Sequence, residues 1–94
     1  MEIGSVRHRG LRRLIEQDDA REIRPDLVRR VRNVLAAMVA APGMDSLAGP
    51  PGWRVHQLVG DRAGCWSVSV SGNWRITFEL VEGRVESLDL EDYH

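Results

Sequence analysis

Apolar residues in the first half of the chain recur at the spacing of amphipathic helices. Residues 2–6 are predicted to form a short strand, which a first helix follows. A second helix is predicted to begin at Pro25, because the fixed backbone angle and missing donor of proline suit a first helical turn, and to end before Pro42. The apolar face of the first helix comprises Leu11, Leu14 and Ile15. The apolar stripe of the second helix comprises Leu27, Val28, Val31, Val34, Leu35, Met38 and Val39.

The spacing of apolar residues changes from helical to alternating at Trp53. Residues 44–52, which are rich in Gly and Pro, are predicted to form a loop. Strands are predicted at residues 65–70, 74–80 and 84–90, with tight turns at 71–73 and 82–83. The residues that would face inward from these strands are Trp66, Val68, Val70, Trp74, Ile76, Phe78, Leu80, Leu88 and Leu90.

This order of elements predicts an α+β fold. An N-terminal strand and two helices would accompany a small, mainly antiparallel sheet of three to five strands, with both helices packed on one face of the sheet. The other face would then be open and polar. Since strand residues alternate between faces, His56 and Arg75 are expected on the open face, and a functional site is expected there.

The composition narrows the class of protein. Ninety-four residues are enough for one core, so residues 1–94 are predicted to form a single domain. Hydrophobic residues make up 43% and charged residues 29%, which argues against a disordered or fibrous chain. No apolar run suits a signal peptide or a membrane span, so we expect a cytoplasmic protein with no membrane partner. The only cysteine, Cys65, cannot form an intramolecular disulfide, and no zinc motif is present, so neither a metal nor another cofactor is expected.

All thirteen basic residues are arginine, and they are unevenly distributed. Residues 1–62 hold eleven arginines against eight acidic residues, whereas residues 63–94 hold two against six, so the two parts carry +3 and −4. With a net charge of −1, any binding of nucleic acid requires a local arginine surface. Two interpretations of the helix arginines remain open, namely solvated helix faces or a surface that binds ribosomal RNA. These arginines are Arg9, Arg12, Arg13, Arg29, Arg30 and Arg32.

Three groups of residues suit cleavage of a phosphodiester bond: His56, Arg75 and the last three residues, Asp92-Tyr93-His94. RNA is cut without metal when a base takes the 2′-hydroxyl proton, an acid protonates the leaving oxygen and a cation stabilises the phosphorus centre. Tyr93 suits stacking on a base. From spacing alone, however, His56 is better explained as a surface histidine, and Arg75 as an ion-pair partner of Glu79.

Two motifs of the chain are distinctive: Gly-Asn-Trp-Arg-Ile-Thr-Phe at residues 72–78 and Glu-Asp-Tyr-His at residues 91–94. Four further segments accompany them: Val6-Arg7-His8-Arg9-Gly10-Leu11, Trp53-Arg54-Val55-His56-Gln57-Leu58, Gly60-Asp61-Arg62 and Trp66-Ser67-Val68-Ser69-Val70. Together these segments resemble the HigB-like toxins of the RelE/ParE superfamily, also called plasmid maintenance killer proteins. The likeness spans nearly the whole chain.

The resemblance implies the toxin of a type II toxin–antitoxin system, namely a ribosome-dependent endoribonuclease that cleaves translated mRNA by metal-independent attack of the 2′-hydroxyl. It implies a helix-turn-helix antitoxin of the HigA type as partner, besides the ribosome and mRNA, and contact with DNA only through that antitoxin. By motif position, the family's active residues fall on His56, Arg75, Asp92, Tyr93 and His94. The two histidines would transfer protons, and Arg75 would stabilise the phosphorus centre. Asp92 would orient a histidine or act as a base, and Tyr93 would position the substrate.

One position departs from the family pattern. After the His-x-Leu motif the family usually has lysine, whereas this chain has Val59. Either Arg54 or Arg62 binds RNA phosphate in its place, or cleavage is slower, or the toxin is inactive. Two other functions remain open on the same scaffold: a ParE-like poison of DNA gyrase, which needs no proton-transfer histidines, and an inactive module that only binds an antitoxin.

Overall fold

The computed structural model describes residues 1–47 and 49–92. Two helices precede four strands, with short 3₁₀ turns at Met44–Ser46, Pro51–Trp53 and Gly60–Arg62. The helices are α1 (Arg9–Gln17) and α2 (Val28–Ala40), and the strands are β1 (His56–Gln57), β2 (Cys65–Ser71), β3 (Trp74–Val81) and β4 (Arg84–Asp92). The α+β fold class predicted from the sequence is confirmed.

The four strands form one sheet in the order β1-β2-β3-β4, and each neighbouring pair is antiparallel. Short connections explain this order, because residues 72–73 and 82–83 are tight turns and both Glu82 and Gly83 adopt positive φ. The core contains residues from the covered face of the sheet and from both helices. Its buried members include Leu11, Leu14, Val31, Val34, Met38, Val68, Ile76, Phe78, Val85 and Leu88.

The N-terminal segment differs from the predicted strand. Ile3 and Val6 form isolated parallel bridges with Val85 and Leu88 instead of a continuous ladder. The cause is a bulge in β4, where Ser87 adopts a φ of 54° and the register with β3 shifts. The hydroxyl of Ser5 accepts a hydrogen bond of 2.8 Å from the Ser87 backbone, which holds the segment against this bulge.

Both helices begin and end for local reasons. The Nδ1 of His8 accepts a hydrogen bond of 3.1 Å from the Leu11 backbone and thereby caps α1. The predicted start of α2 at Pro25 is wrong, because the backbone N–H of Val28 donates to the carbonyl of Pro25, three residues back, in a turn. The first bond with helical i to i−4 spacing in this region runs from Val31 to Leu27, at 2.9 Å. After α2, Ala41 is extended ahead of the proline that follows it.

Two residues of the predicted helix faces lie outside the core, and Leu80, predicted to face inward from its strand, is only partly buried and is not part of the core. Ile15 is 39% exposed and Val39 is 57% exposed, because they face each other across the surface between α1 and α2 and do not face the sheet. They border a groove of about 590 Å³, which is otherwise lined by Ile3, Leu14, Arg32, Leu35, Ala36 and Ala40. In the described residues, neither helix has the length and apolar character needed to span a membrane.

Candidate active site

The open face of the sheet brings His56 and Arg75 to one pocket. Strand pairing aligns His56 with Ser67, and Ser67 with Thr77, while Arg75 lies in the adjacent row, opposite Ser69. The pocket has a volume of about 490 Å³. It is lined by His56, Gln57, Leu58, Val59, Asp61, Arg62 and Arg75. An imidazole and a guanidinium, which lie nineteen positions apart in the sequence, therefore border a single cavity.

The ring of His56 is exposed and oriented by the backbone. Its Nδ1 lies 2.6 Å from the carbonyl oxygen of Arg54. Because a carbonyl oxygen only accepts hydrogen bonds, Nδ1 carries the proton in this contact. In the neutral ring, Nε2 is then left with a lone pair, which is the form that a general base requires.

Arg62, which lines the pocket, is bound by a carboxylate. Glu91 of β4 accepts hydrogen bonds from both terminal nitrogens of Arg62, at 2.8 and 2.6 Å, and a further short hydrogen bond from the hydroxyl of Thr77. Glu91 is also the strand partner of Arg75 on β3. The carboxylate thus links the turn at Gly60–Arg62 to the floor of the open face.

These contacts shift the ionisation of both partners. The hydrogen bonds from Arg62 hold the pKa of Glu91 below its usual value, the Thr77 hydroxyl acts in the same direction, and partial burial opposes both. The carboxylate of Glu91 in turn raises the pKa of Arg62. Both groups therefore remain charged at neutral pH, and the pocket wall is a fixed ion pair.

The C-terminal residues are only partly described. Asp92 is exposed, ends β4 and pairs with Trp74. Because strand residues alternate between faces, its side chain is on the face opposite to that of Arg75 and Glu91. The predicted residues Tyr93 and His94 lie outside the described residues. The structure therefore brings together two of the five predicted catalytic residues, His56 and Arg75.

The eight arginines predicted to bind RNA fall into three groups. Four form ion pairs: Arg9 and Arg13 with Glu22, Arg32 with Asp18, and Arg62 with Glu91. Two donate to backbone carbonyl oxygens, Arg12 to Val6 at 2.6 Å and Arg30 to Val70 at 3.3 Å. For Arg29 and Arg54, both exposed, no ion pair with a described residue is found.

Sequence reasoning did not select Glu91 or Thr77 for the site. The alternation of strand residues could have placed both on the open face, since Thr77 shares a face with Arg75 and Glu91 is the strand partner of Arg75. The alternative partner considered for Arg75, Glu79, instead lies opposite Cys65 and Glu86. Among the residues that the structure describes, no three His, Cys, Asp or Glu side chains converge as a metal site.

Comparison with known proteins adds a family and a fold. A family model described as the RelE-like toxin of the type II toxin–antitoxin system HigB matches residues 4–94. The protein named Endoribonuclease HigB from Proteus vulgaris is 37% identical over 92 residues, covering 98% of this chain and 99% of that protein. Two crystal structures of YafQ from E. coli, one of a mutant and one from strain BL21(DE3), each match with a TM-score of 0.61 over 97% of this chain and 93% of theirs. Their sequence identities of 10% and 8% support a shared fold alone.

Proposed function

The chain belongs to the HigB-like family of RelE-like toxins of type II toxin–antitoxin systems, and from this premise we propose that it is an endoribonuclease that cuts translated mRNA on the ribosome. Membership of a type II system implies an antitoxin partner. We propose that this partner is a helix-turn-helix protein of the HigA type, and that the toxin contacts DNA only through it.

One observation carries the proposed reaction: His56 and Arg75 line the same pocket on the open face. His56, with Nδ1 held by the Arg54 carbonyl, is suited to remove a proton from a 2′-hydroxyl through Nε2. The oxygen then attacks the adjacent phosphorus, and Arg75 stabilises the negative charge that develops there. No step of this proposal uses a metal ion.

The remaining roles are proposed for the chain terminus. His94 protonates the leaving 5′-oxygen, or exchanges roles with His56 as acid and base. Asp92 orients a histidine or acts as a base, and Tyr93 positions the substrate by stacking on a base. Asp92 occupies the last described position of β4, one residue beyond the strand partner of Arg75, so its backbone adjoins the candidate site although strand alternation turns its side chain to the other face.

The proposed contact with ribosomal RNA uses the eight predicted arginines unequally. Arg29 and Arg54 are exposed and have no ion pair with a described residue, so their charges are the most available to phosphate. Val59, at the family's usual lysine position, is 87% exposed at the pocket. Arg54 is therefore the stronger candidate to replace that lysine, because Arg62 is already held by Glu91.

The proposed function is tested by inducing the protein in bacteria and mapping mRNA ends. We expect growth arrest with cuts inside translated codons, and relief of the arrest when the helix-turn-helix antitoxin is produced with it. A chain without Tyr93 and His94 should not arrest growth, and the purified toxin should leave naked RNA intact. DNA damage signalling without loss of mRNA would contradict the proposal and indicate a gyrase poison. Equal arrest by the shortened chain would remove the terminus from the mechanism.

A further inference from the structure

Glu91 contacts both the sheet and the pocket wall by side-chain hydrogen bonds. Its side chain is 26% exposed, and it receives three donors, two from Arg62 and one from the buried hydroxyl of Thr77. Three donors on one carboxylate fix both of its oxygens. The position of Arg62 is therefore set by β3 and β4 through this carboxylate.

The segment that carries Arg62 gains an additional anchor from this contact. Residues 58–64 connect β1 to β2 and form part of the pocket wall, through Leu58, Val59, Asp61 and Arg62. Gly60 and Gly64 adopt φ values of 73° and 96°, so the path of this segment depends on two glycine conformations. Glycine offers little intrinsic restriction. Backbone hydrogen bonds from Leu58 to Cys65 and from Ala63 to Gly60 restrain the segment, and the Arg62 side chain adds a contact with β4.

Two of the five N–H donors of Arg62 are occupied by Glu91. The guanidinium also interacts with Cys65, and it is 41% exposed at the pocket in which His56 and Arg75 also lie. A bidentate pair fixes the plane of the guanidinium as well as its distance, which a single contact does not. The pocket therefore presents a second guanidinium in one orientation.

We propose that Glu91 is a positioning residue for RNA cleavage, which holds Arg62 and the 58–64 wall in the geometry that a bound RNA phosphate requires. The proposal rests on the proposed function. Glu91 itself does not touch the substrate and acts through Arg62. Loss of its charge would leave the fold intact but would let residues 58–64 and the Arg62 guanidinium move relative to His56. The fraction of bound RNA in a reactive geometry would then fall.

The test compares Glu91→Gln with the matched control Glu22→Gln. Glu22 accepts a 2.6 Å ion pair from Arg13 and is 27% exposed, and it lies outside the pocket. The glutamine side chain preserves the shape but presents an amide donor where each glutamate faced an arginine donor. Cleavage of mRNA on purified ribosomes is assayed for four variants, with kcat and KM measured separately. They are Glu91→Gln, Glu22→Gln, Arg62→Ala and the double variant Arg62→Ala/Glu91→Gln.

We expect Glu91→Gln to lower kcat about 10- to 100-fold and Glu22→Gln to leave kcat unchanged. In the Arg62→Ala background, Glu91→Gln should cause no further loss, because the effect of Glu91 passes through Arg62. Hydrogen exchange of the amides in residues 58–64 should accelerate in Glu91→Gln and in Arg62→Ala, and not in Glu22→Gln.

The outcomes separate this inference from the proposed function. An inactive wild-type chain would overturn the proposed function and, with it, the role of Glu91 in cleavage. An active wild type with equally active Glu91→Gln would overturn the positioning role alone. A further loss of kcat in the double variant, or unchanged exchange in residues 58–64, would show that Glu91 does not act through Arg62 and would also overturn it.

Discussion

Two ion pairs of this protein, Arg62–Glu91 and Arg13–Glu22, are almost the same by local measures. The closest distance between nitrogen and oxygen is 2.6 Å in both. The arginines are 41% and 43% exposed, and the glutamates 26% and 27%. They differ in their surroundings. Glu91 accepts a hydrogen bond from a buried threonine hydroxyl, and its partner Arg62 lines the pocket of His56, whereas the second partner of Glu22 is Arg9, which is 78% exposed.

The nitrogen–oxygen distance and the exposed fractions of the two side chains therefore do not indicate the role of an ion pair. The Arg13–Glu22 pair connects α1 to the turn that follows it, and a pair of this kind contributes at most about 1 kcal/mol to stability. It also neutralises charge on a helix predicted to bind RNA, which weakens the interpretation of α1 as a free basic surface. The Arg62–Glu91 pair, by contrast, joins β4 to a residue that lines the pocket.

The largest expected effect is a loss of kcat on removal of Arg75 from the pocket, compared with removal of Arg21, which lies near the Arg13–Glu22 pair. Arg75→Ala should lower kcat for cleavage on ribosomes by about 10² to 10³, because it removes the cation that faces the developing negative charge. Arg21→Ala removes an arginine that pairs with Asp19 beside the Arg13–Glu22 pair, and it should leave kcat unchanged. Equal losses in the two variants would mean that charge alone, and not the pocket, decides activity.

A second effect concerns the hydroxyl beneath Glu91. Thr77→Val should lower the free energy of unfolding by about 1.5 to 3 kcal/mol, because a buried hydrogen bond to a charged group is lost while the side-chain volume is kept. Ser67, the strand partner of Thr77, is the control: it is equally buried, and in the described residues its hydroxyl has no hydrogen-bond partner. Ser67→Ala removes a buried hydroxyl that has no partner among the described residues, so it should not lower the free energy of unfolding. Urea denaturation measures the free energy of unfolding of both variants. Similar losses would mean that the Thr77 hydroxyl contributes no more to stability than that of Ser67.

The fold was largely predictable because its strands alternate clearly between apolar and polar residues. Trp74 to Val81 buries Ile76 and Phe78 on one face, as the period of two indicates. The N-terminal bridges were not predictable in the same way, since they depend on the left-handed conformation of Ser87, a residue without a turn signal in its pattern. The exposure of Val39 was missed because a helical stripe does not show which part of it meets the sheet.

The site was predictable only where strand parity decides it. Parity placed His56 and Arg75 on one face, and they do share a pocket. The contact between Arg62 and Glu91 joins residues 29 positions apart, and it depends on how residues 58–64 fold back over the sheet. Glycine conformations determine that path, and no hydrophobic period encodes them. Ion pairing of the helix arginines with Glu22 was also missed, because Glu22 lies in an irregular segment whose path the apolar spacing does not predict.

Acid should weaken the Arg62–Glu91 pair in a predictable direction. The pKa of Glu91 is lower in the folded protein than its usual value of 4.5, so its contribution to stability is complete above that value and is lost as the pH falls through the folded-state pKa. The wild type should therefore exceed Glu91→Gln in stability at pH 6 by about 1 kcal/mol, and the difference should shrink as the pH is lowered to 3. Asp19, whose pKa Arg21 also lowers, is present in both proteins and cancels. A difference that grows in acid would contradict the assigned ion pair.

The smallest expected effect is that of removing Arg9, the exposed second partner of Glu22. Arg9→Ala should change the free energy of unfolding by no more than about 0.5 kcal/mol, because Arg9 is 78% exposed and Arg13 still binds Glu22 after its removal. Glu22→Gln weakens both contacts at once and should cost more than Arg9→Ala in the same urea titration. If Arg9→Ala were the costlier change, Glu22 would depend on Arg9 more than on Arg13, and the Arg13–Glu22 pair would no longer be a matched counterpart of Arg62–Glu91.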